Sequence, residues 1–251
     1  MPDLFNDVRM AEGYASARPA VHPRVIERLP WKHVVDFALD LGCGAGMSTA
    51  ALEPLARRRV GIDSSEAMVN AARRRVPDAT FLVASAEVIP IVSGEIDLIS
   101  AAGSLNYVDL PRFFKEAERI LQPNGVIVVY DFSPGKSFSN DDSLDQWFQQ
   151  FSLRYSWPVF NGHPLSPAIL AQLRFGFELG AHENFAIPIS MTQPSYVDYM
   201  MTETNVAEAI ANGESSEEIR RWCCQSLAPI LGDQPREVLF NGYFACLKRD
   251  V

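Results

Sequence analysis

The chain holds 251 residues, 47% of them hydrophobic, with a formal net charge of −9, which describes a globular protein with a sizeable core and excludes a disordered one. So acidic a chain is poorly matched to a nucleic-acid backbone, whose binding rests on Lys and Arg neutralising phosphates. No apolar run approaches the roughly 20 residues that span a bilayer, and Met1–Met10 carries acids and polar residues where a signal peptide has its apolar core; the expected setting is cytoplasmic, with neither membrane nor nucleic acid as partner.

Apolar runs alternate with amphipathic stretches, the pattern of repeated strand–helix units in an α/β fold with a doubly wound parallel sheet. Strands are expected near residues 35–41, 58–63, 79–84, 96–101 and 125–132, with helices between them. Arg57-Arg58-Arg59 and Arg73-Arg74-Arg75 are expected at helix ends, where they complement the macrodipole. The clearest helix runs from Pro111 to Leu121: Phe113, Phe114, Ala117, Ile120 and Leu121 share one face, Asp109 caps its start, and Pro123-Asn124-Gly125 ends it.

After Ser133 the rhythm breaks. Residues 134–167 hold Pro134-Gly135, Ser139-Asn140-Asp141-Asp142, Trp147, Trp157-Pro158 and Asn161-Gly162-His163-Pro164, too irregular for another plain unit and too aromatic for a linker. With parts of 190–232 they are expected to form a cap-like insertion over the crevice at the carboxyl ends of the strands, within a single domain spanning 1–251; a surface excursion with its own small core is the alternative. Ser166-Pro167 marks a helix start, followed by a strand over 177–189, two or three helices between Pro194 and Leu231, and a last strand over 237–248. Cys43, Cys223, Cys224 and Cys246 show neither a C-x-x-C pair nor metal-ligand spacing, so no metal and no structural disulfide are expected.

Most of the chemistry sits between the first two strands. Ala38–Leu52 reads A-L-D-L-G-C-G-A-G-M-S-T-A-A-L, an apolar strand entering a turn with glycine at alternate positions. Gly42, Gly44 and Gly46 permit a tight turn and close approach of a ligand to the main chain, and the helix after them points unpaired N–H groups at that turn. Asp63 closes the next apolar run, where an acid can take hydrogen bonds from both hydroxyls of a ribose. A dinucleotide fingerprint would place its third glycine at position 47, which is Met47 here.

Leu39-Asp40-Leu41-Gly42-Cys43-Gly44-Ala45-Gly46 resembles the first motif of the class I S-adenosylmethionine-dependent methyltransferases. Asp63-Ser64-Ser65-Glu66-Ala67-Met68 resembles the second, and Phe81–Pro90, with Ser85-Ala86-Glu87, resembles the adenine-edge motif, with Ser85 where the family usually has Asp. Glu95–Ala102 is similar to the fourth strand, and Tyr14-Ala15-Ser16-Ala17-Arg18-Pro19 to a lid whose Tyr and Arg face the methionine end, followed here by His22-Pro23 in place of Tyr-Pro. The resemblance implies a Rossmann-like seven-stranded sheet, mostly parallel with an antiparallel C-terminal strand. It further implies S-adenosyl-L-methionine as cofactor and S-adenosyl-L-homocysteine as product, held by Tyr14, Arg18, Asp40, Gly42, Cys43, Gly44, Gly46, Asp63, Ser64, Met68, Ser85, Ala86, Glu87 and Ala101.

The acceptor side is expected beyond the fourth and fifth strands. His163, Tyr107 and Asp131 are the catalytic candidates: an imidazole ordinarily titrates near ~6.5 and accepts protons at neutral pH, while Tyr107 and Asp131 follow the fourth and end the fifth strand. Asn106, Trp157, Tyr196 and Tyr199 are candidate neighbours, although the helical spacing of the two tyrosines reads first as core. The implied activity is methyl transfer to an O or N atom of a small molecule, by a monomer or homodimer. A binding protein without turnover, a protein methyltransferase and an NAD-dependent dehydrogenase are the alternatives.

Overall fold

A computed structural model describes residues 8–31, 33–173 and 175–249, so the first seven residues of the Met1–Met10 stretch lie outside the described residues. Seven strands form one sheet in the order β3-β2-β1-β4-β5-β7-β6: β1 (Val35–Leu41), β2 (Ala56–Asp63), β3 (Thr80–Val83), β4 (Ile96–Ala102), β5 (Leu121–Phe132), β6 (Phe177–Met191) and β7 (Arg236–Arg249). β1 pairs in parallel with β2 and β4, β2 with β3, and β4 with β5, whereas β7 pairs with β5 antiparallel. This is the seven-stranded Rossmann-like sheet, mostly parallel with an antiparallel C-terminal strand. The strand order reverses between β1 and β4, which opens the crevice where α/β sheets bind ligands.

Helices α1 (Val8–Ala17) and α2 (Val21–Ile26) precede the sheet, and α3 (Met47–Ala51), α4 (Glu66–Arg75) and α5 (Leu110–Ile120) connect its parallel strands. α5 forms as its spacing dictates: Asp109 accepts a hydrogen bond from the Arg112 N–H, Pro111 occupies the first turn, and Phe113, Phe114, Ala117 and Ile120 are buried. Burying each large apolar side chain stabilises the fold by roughly 1.5–3 kcal/mol.

Three local expectations need correction. Arg57-Arg58-Arg59 lie on β2, not at a helix end; Arg59 is buried there and pairs with Asp78. β5 begins at Leu121, directly after α5, so Pro123-Asn124-Gly125 lies within the strand, whose pairing with β4 shifts register between Ile96 and Leu98. The stretch read as irregular contains a twelve-residue helix, α6 (Ser143–Arg154), burying Leu144, Trp147, Phe148 and Phe151.

The remaining helices are α7 (Pro167–Leu170), α8 (Gln193–Met200), α9 (Thr204–Ala211) and α10 (Ser216–Leu231). The chain divides into two compact units. The first comprises Met1–Val21, Ser133–Phe160 and Ala186–Asn241; the second comprises His22–Phe132, Asn161–Phe185 and Gly242–Val251. In the first, Trp147 stacks on Phe151 and Trp222 with ring centroids 5.1 and 5.7 Å away, and Tyr196 and Tyr199 are fully buried. In the second, Leu39, Leu41, Ile62, Ile99, Phe113, Ile127 and Leu247 belong to one apolar core. No helix among the described residues is long and apolar enough to cross a membrane.

Candidate functional site

β1 enters the turn through Gly42, Gly44 and Gly46, with φ of 64°, 49° and 86°. A Cβ at Gly42 would stand 2.4 Å from Cβ of Ser104, so the turn lies against the segment after β4. Ser104 ties the two together, its hydroxyl donating to the Leu41 carbonyl at 2.6 Å. A Cβ at Gly44 would meet nothing within 4 Å, which leaves the main chain open to a ligand there. α3, which follows, has only five residues and no side-chain cap at Gly46.

Asp63 is fixed beneath this opening. The Gly44 N–H donates to its Oδ2 at 2.9 Å and the Ser65 N–H to its Oδ1 at 2.8 Å. Burial pushes this carboxyl above its ordinary range, against the pull of the backbone N–H groups. An ionised carboxylate offers about four lone-pair sites, so both oxygens keep capacity for a pair of ribose hydroxyls. An open turn backed by an anchored acid fits a nucleoside.

The other residues assigned to the cofactor fall into three groups. Cys43 is buried behind the turn, its N–H donating to the Ile62 carbonyl at 2.9 Å, and Met68 and Ala101 are buried as well. Ser64 and Ser85 are exposed beyond β2 and β3, with Ala86 half-buried, while Glu87 accepts the Asp109 N–H at 3.0 Å and thereby joins this loop to the start of α5. Tyr14 and Arg18 belong to the first unit, with the Arg18 guanidinium 4.0 Å from the Tyr14 ring centroid. Arg18 also pairs with Glu203 at 3.2 Å and donates to the Thr202 carbonyl at 3.0 Å.

Asp40 has no exposed surface to offer a ligand. Its Oδ2 takes the hydroxyls of Ser48 and Thr49, both at 2.6 Å, so it fastens α3 to β1 from behind the turn. Burial pushes its pKa up to about 6, opposed by those two hydroxyls. The sequence signalled this role only through the Ser-Thr pair opening the helix, and it gave no sign of Ser104.

The three catalytic candidates meet around Asn106, in the 3-10 turn Leu105–Tyr107. Asn106 donates from Nδ2 to Asp131 Oδ2 at 2.7 Å, and its carbonyl accepts the His163 N–H at 2.6 Å. Asp131 is raised by burial, against its bonds from Asn106 and the Phe132 N–H, and the Tyr107 phenol is raised by burial and then by the Asp131 charge. Tyr107 and His163 face a cleft of about 420 Å³ whose apolar wall includes Leu110, Leu173 and Phe175. Tyr196 and Tyr199 are core residues, Tyr196 donating to the Gly135 carbonyl at 2.7 Å. No group of three or more metal-binding side chains occurs among the described residues.

Residues 39–129 match the family described as "Methyltransferase domain". A Dictyostelium discoideum protein named as a methyltransferase is 29% identical over 222 residues, covering 86% of this chain and 83% of its own. The trans-aconitate 2-methyltransferase of Escherichia coli is 40% identical over 116 residues, only 45% of this chain and 44% of that one. Among solved structures, a protein from Anaeromyxobacter dehalogenans described as a type II methyltransferase shares the fold, with a TM-score of 0.69 and 22% identity over 92% of this chain and 97% of its own.

Proposed function

We propose that the chain is a class I S-adenosylmethionine-dependent methyltransferase, a reading supported by its methyltransferase-domain match and its methyltransferase relatives, and that it transfers the methyl group of S-adenosyl-L-methionine to an oxygen or nitrogen atom of a small molecule. The observation that carries the donor side is the open main chain at Gly44 above the anchored Asp63. In this reading Asp63 takes the ribose hydroxyls, and Ser64, Ser85 and Ala86 border the adenine. The cofactor supplies an electrophilic methyl carbon. The chain's own residues bind, align and exclude water, and alignment alone contributes up to ~7–11 kcal/mol in a displacement of this kind.

The Asn106 cluster supports the acceptor side. His163 is exposed, faces the cleft and is held in place by the Asn106 carbonyl, so it takes the proton of a hydroxyl acceptor, while Asp131 acts through Asn106 as a positioning residue. A carboxylate or free amine needs no such base. Calorimetric titration with S-adenosylmethionine, S-adenosylhomocysteine and NAD tests the donor: heat with the first two and none with NAD is expected. Transfer of radiolabelled methyl to pooled metabolites tests the acceptor, and label appearing only in added protein overturns the small-molecule reading.

A further inference from the structure

Asp40 is a buried acid with one oxygen in use. Oδ2 holds Ser48 and Thr49, whereas Oδ1 is buried without a hydrogen-bond partner. Its register partner across the β1–β4 pairing is Ser100, a buried hydroxyl turned to the Tyr130 phenol. In a parallel pair these two side chains share a face of the sheet. A proton on Oδ1 therefore displaces no existing bond and leaves those to Oδ2 intact.

We propose that Asp40 couples donor binding to a proton: in mildly acidic solution the ligand-free protein holds that proton on Oδ1, and the cationic donor expels it, whereas the demethylated product, which lacks the sulfonium charge, leaves it in place. The inference rests on the reading of the turn as a methyl-donor site. S-adenosylmethionine bears a sulfonium charge that S-adenosylhomocysteine lacks, and the amino and carboxylate groups of the two are the same. Asp40 lies two residues before Gly42 in the strand that presents the turn, buried where a positive charge favours the ionised acid more than it would in water. No contact between Asp40 and the ligand is required.

Asp40 and Asp63 are the two carboxyls here that burial raises, and replacing Asp40 alone separates their contributions. Asp63 faces it from β2 and disfavours its ionisation. Cys43 from the turn and Tyr130 from β5 are both raised by burial and stay neutral; Tyr130 is in turn bonded to His22 Nδ1 of α2 at 2.8 Å. α3 contributes two hydroxyls, and Arg59 of β2 reaches only the Thr49 carbonyl, at 3.2 Å.

The test is isothermal titration at pH 6 in phosphate and in bis-Tris, buffers of different ionisation enthalpy. Since the free carboxyl is half protonated near pH 6, S-adenosylmethionine is expected to release about half a proton more than S-adenosylhomocysteine, and below that pH its relative affinity falls about tenfold per unit. Asp40→Asn abolishes the difference. The milder Ser48→Ala, which removes one hydroxyl from the carboxylate, moves the pH midpoint upward. Heat with both ligands but equal proton release overturns the coupling, as does an unchanged midpoint in Ser48→Ala. No heat with either ligand overturns the donor reading beneath it.

Discussion

Alanine at Gly44 and at Gly42 separates what the turn does for a ligand from what it does for the fold. Both positions have positive φ, where a Cβ costs about 1–2 kcal/mol. At Gly44 nothing lies within 4 Å of the added carbon, so the backbone term is the whole loss of stability. At Gly42 the carbon would stand 2.4 Å from Cβ of Ser104, far inside the roughly 3.5–4.0 Å of carbon contact. Relief means displacing Ser104 and losing its bond to Leu41, worth about 1 kcal/mol, on top of overpacking of about 1–3 kcal/mol. Gly42→Ala should therefore lose about 3 kcal/mol or more in urea unfolding, and Gly44→Ala about 1–2 kcal/mol. Calorimetric titration with S-adenosylhomocysteine should show the opposite emphasis for Gly44→Ala: near-native folding with affinity reduced at least about tenfold, because the methyl group occupies the opening. A Gly44→Ala protein that binds like its parent would refute the placement of the ligand there.

Four further outcomes are expected. Arg18→Ala strands Glu203, whose side chain is 5% exposed, and should cost about 3 kcal/mol in urea unfolding. Tyr196→Phe leaves the Gly135 carbonyl without its phenol donor and should cost about 1–2 kcal/mol by the same measurement. The Asp40 carboxyl is raised when folded, to about 6, above an unfolded value near ~3.9, so its stabilising contribution is fullest below pH ~4 and is lost as pH rises through about 6; unfolding of Asp40→Asn across that window should lack this change. His163→Ala should lower kcat about 10²-fold or more at neutral pH for a hydroxyl acceptor and leave it unchanged for a carboxylate or amine, so steady-state kinetics on the identified acceptor reads the class.

The parallel half of the sheet was legible because strands buried on both faces write continuous apolar runs, and Val35–Leu41 and Ile96–Ala102 stand almost where expected. The glycine turn was legible because its positive φ values favour glycine, and the place of Asp63 because it closes the second apolar run. Arg59 misled the reading, since a buried arginine on a strand is intelligible only with Asp78 and the Thr49 carbonyl in place. α6 was hidden by its flanks: Asn140-Asp141-Asp142 and Trp157-Pro158 read as loop, although Leu144, Trp147, Phe148 and Phe151 carry helical spacing. Asp40 and Glu87 have the residue types of ligand contacts, but their partners, Ser48 with Thr49 and the Asp109 N–H, are set by tertiary packing. The first unit gathers segments far apart in the chain, which no local periodicity announces.

The place of β7 between β5 and β6 has a consequence for how the protein is made. Strands β1 to β5 can pair while the ribosome is still at work, but the outer edge of β5 stays bare until Arg236–Arg249 has been synthesised. β6, made some fifty residues earlier, must wait beside a gap, because direct pairing with β5 would close the sheet without its seventh member. Such an edge invites pairing with another nascent chain. A translational pause between β6 and β7 should therefore raise aggregation more than an equal pause after β7.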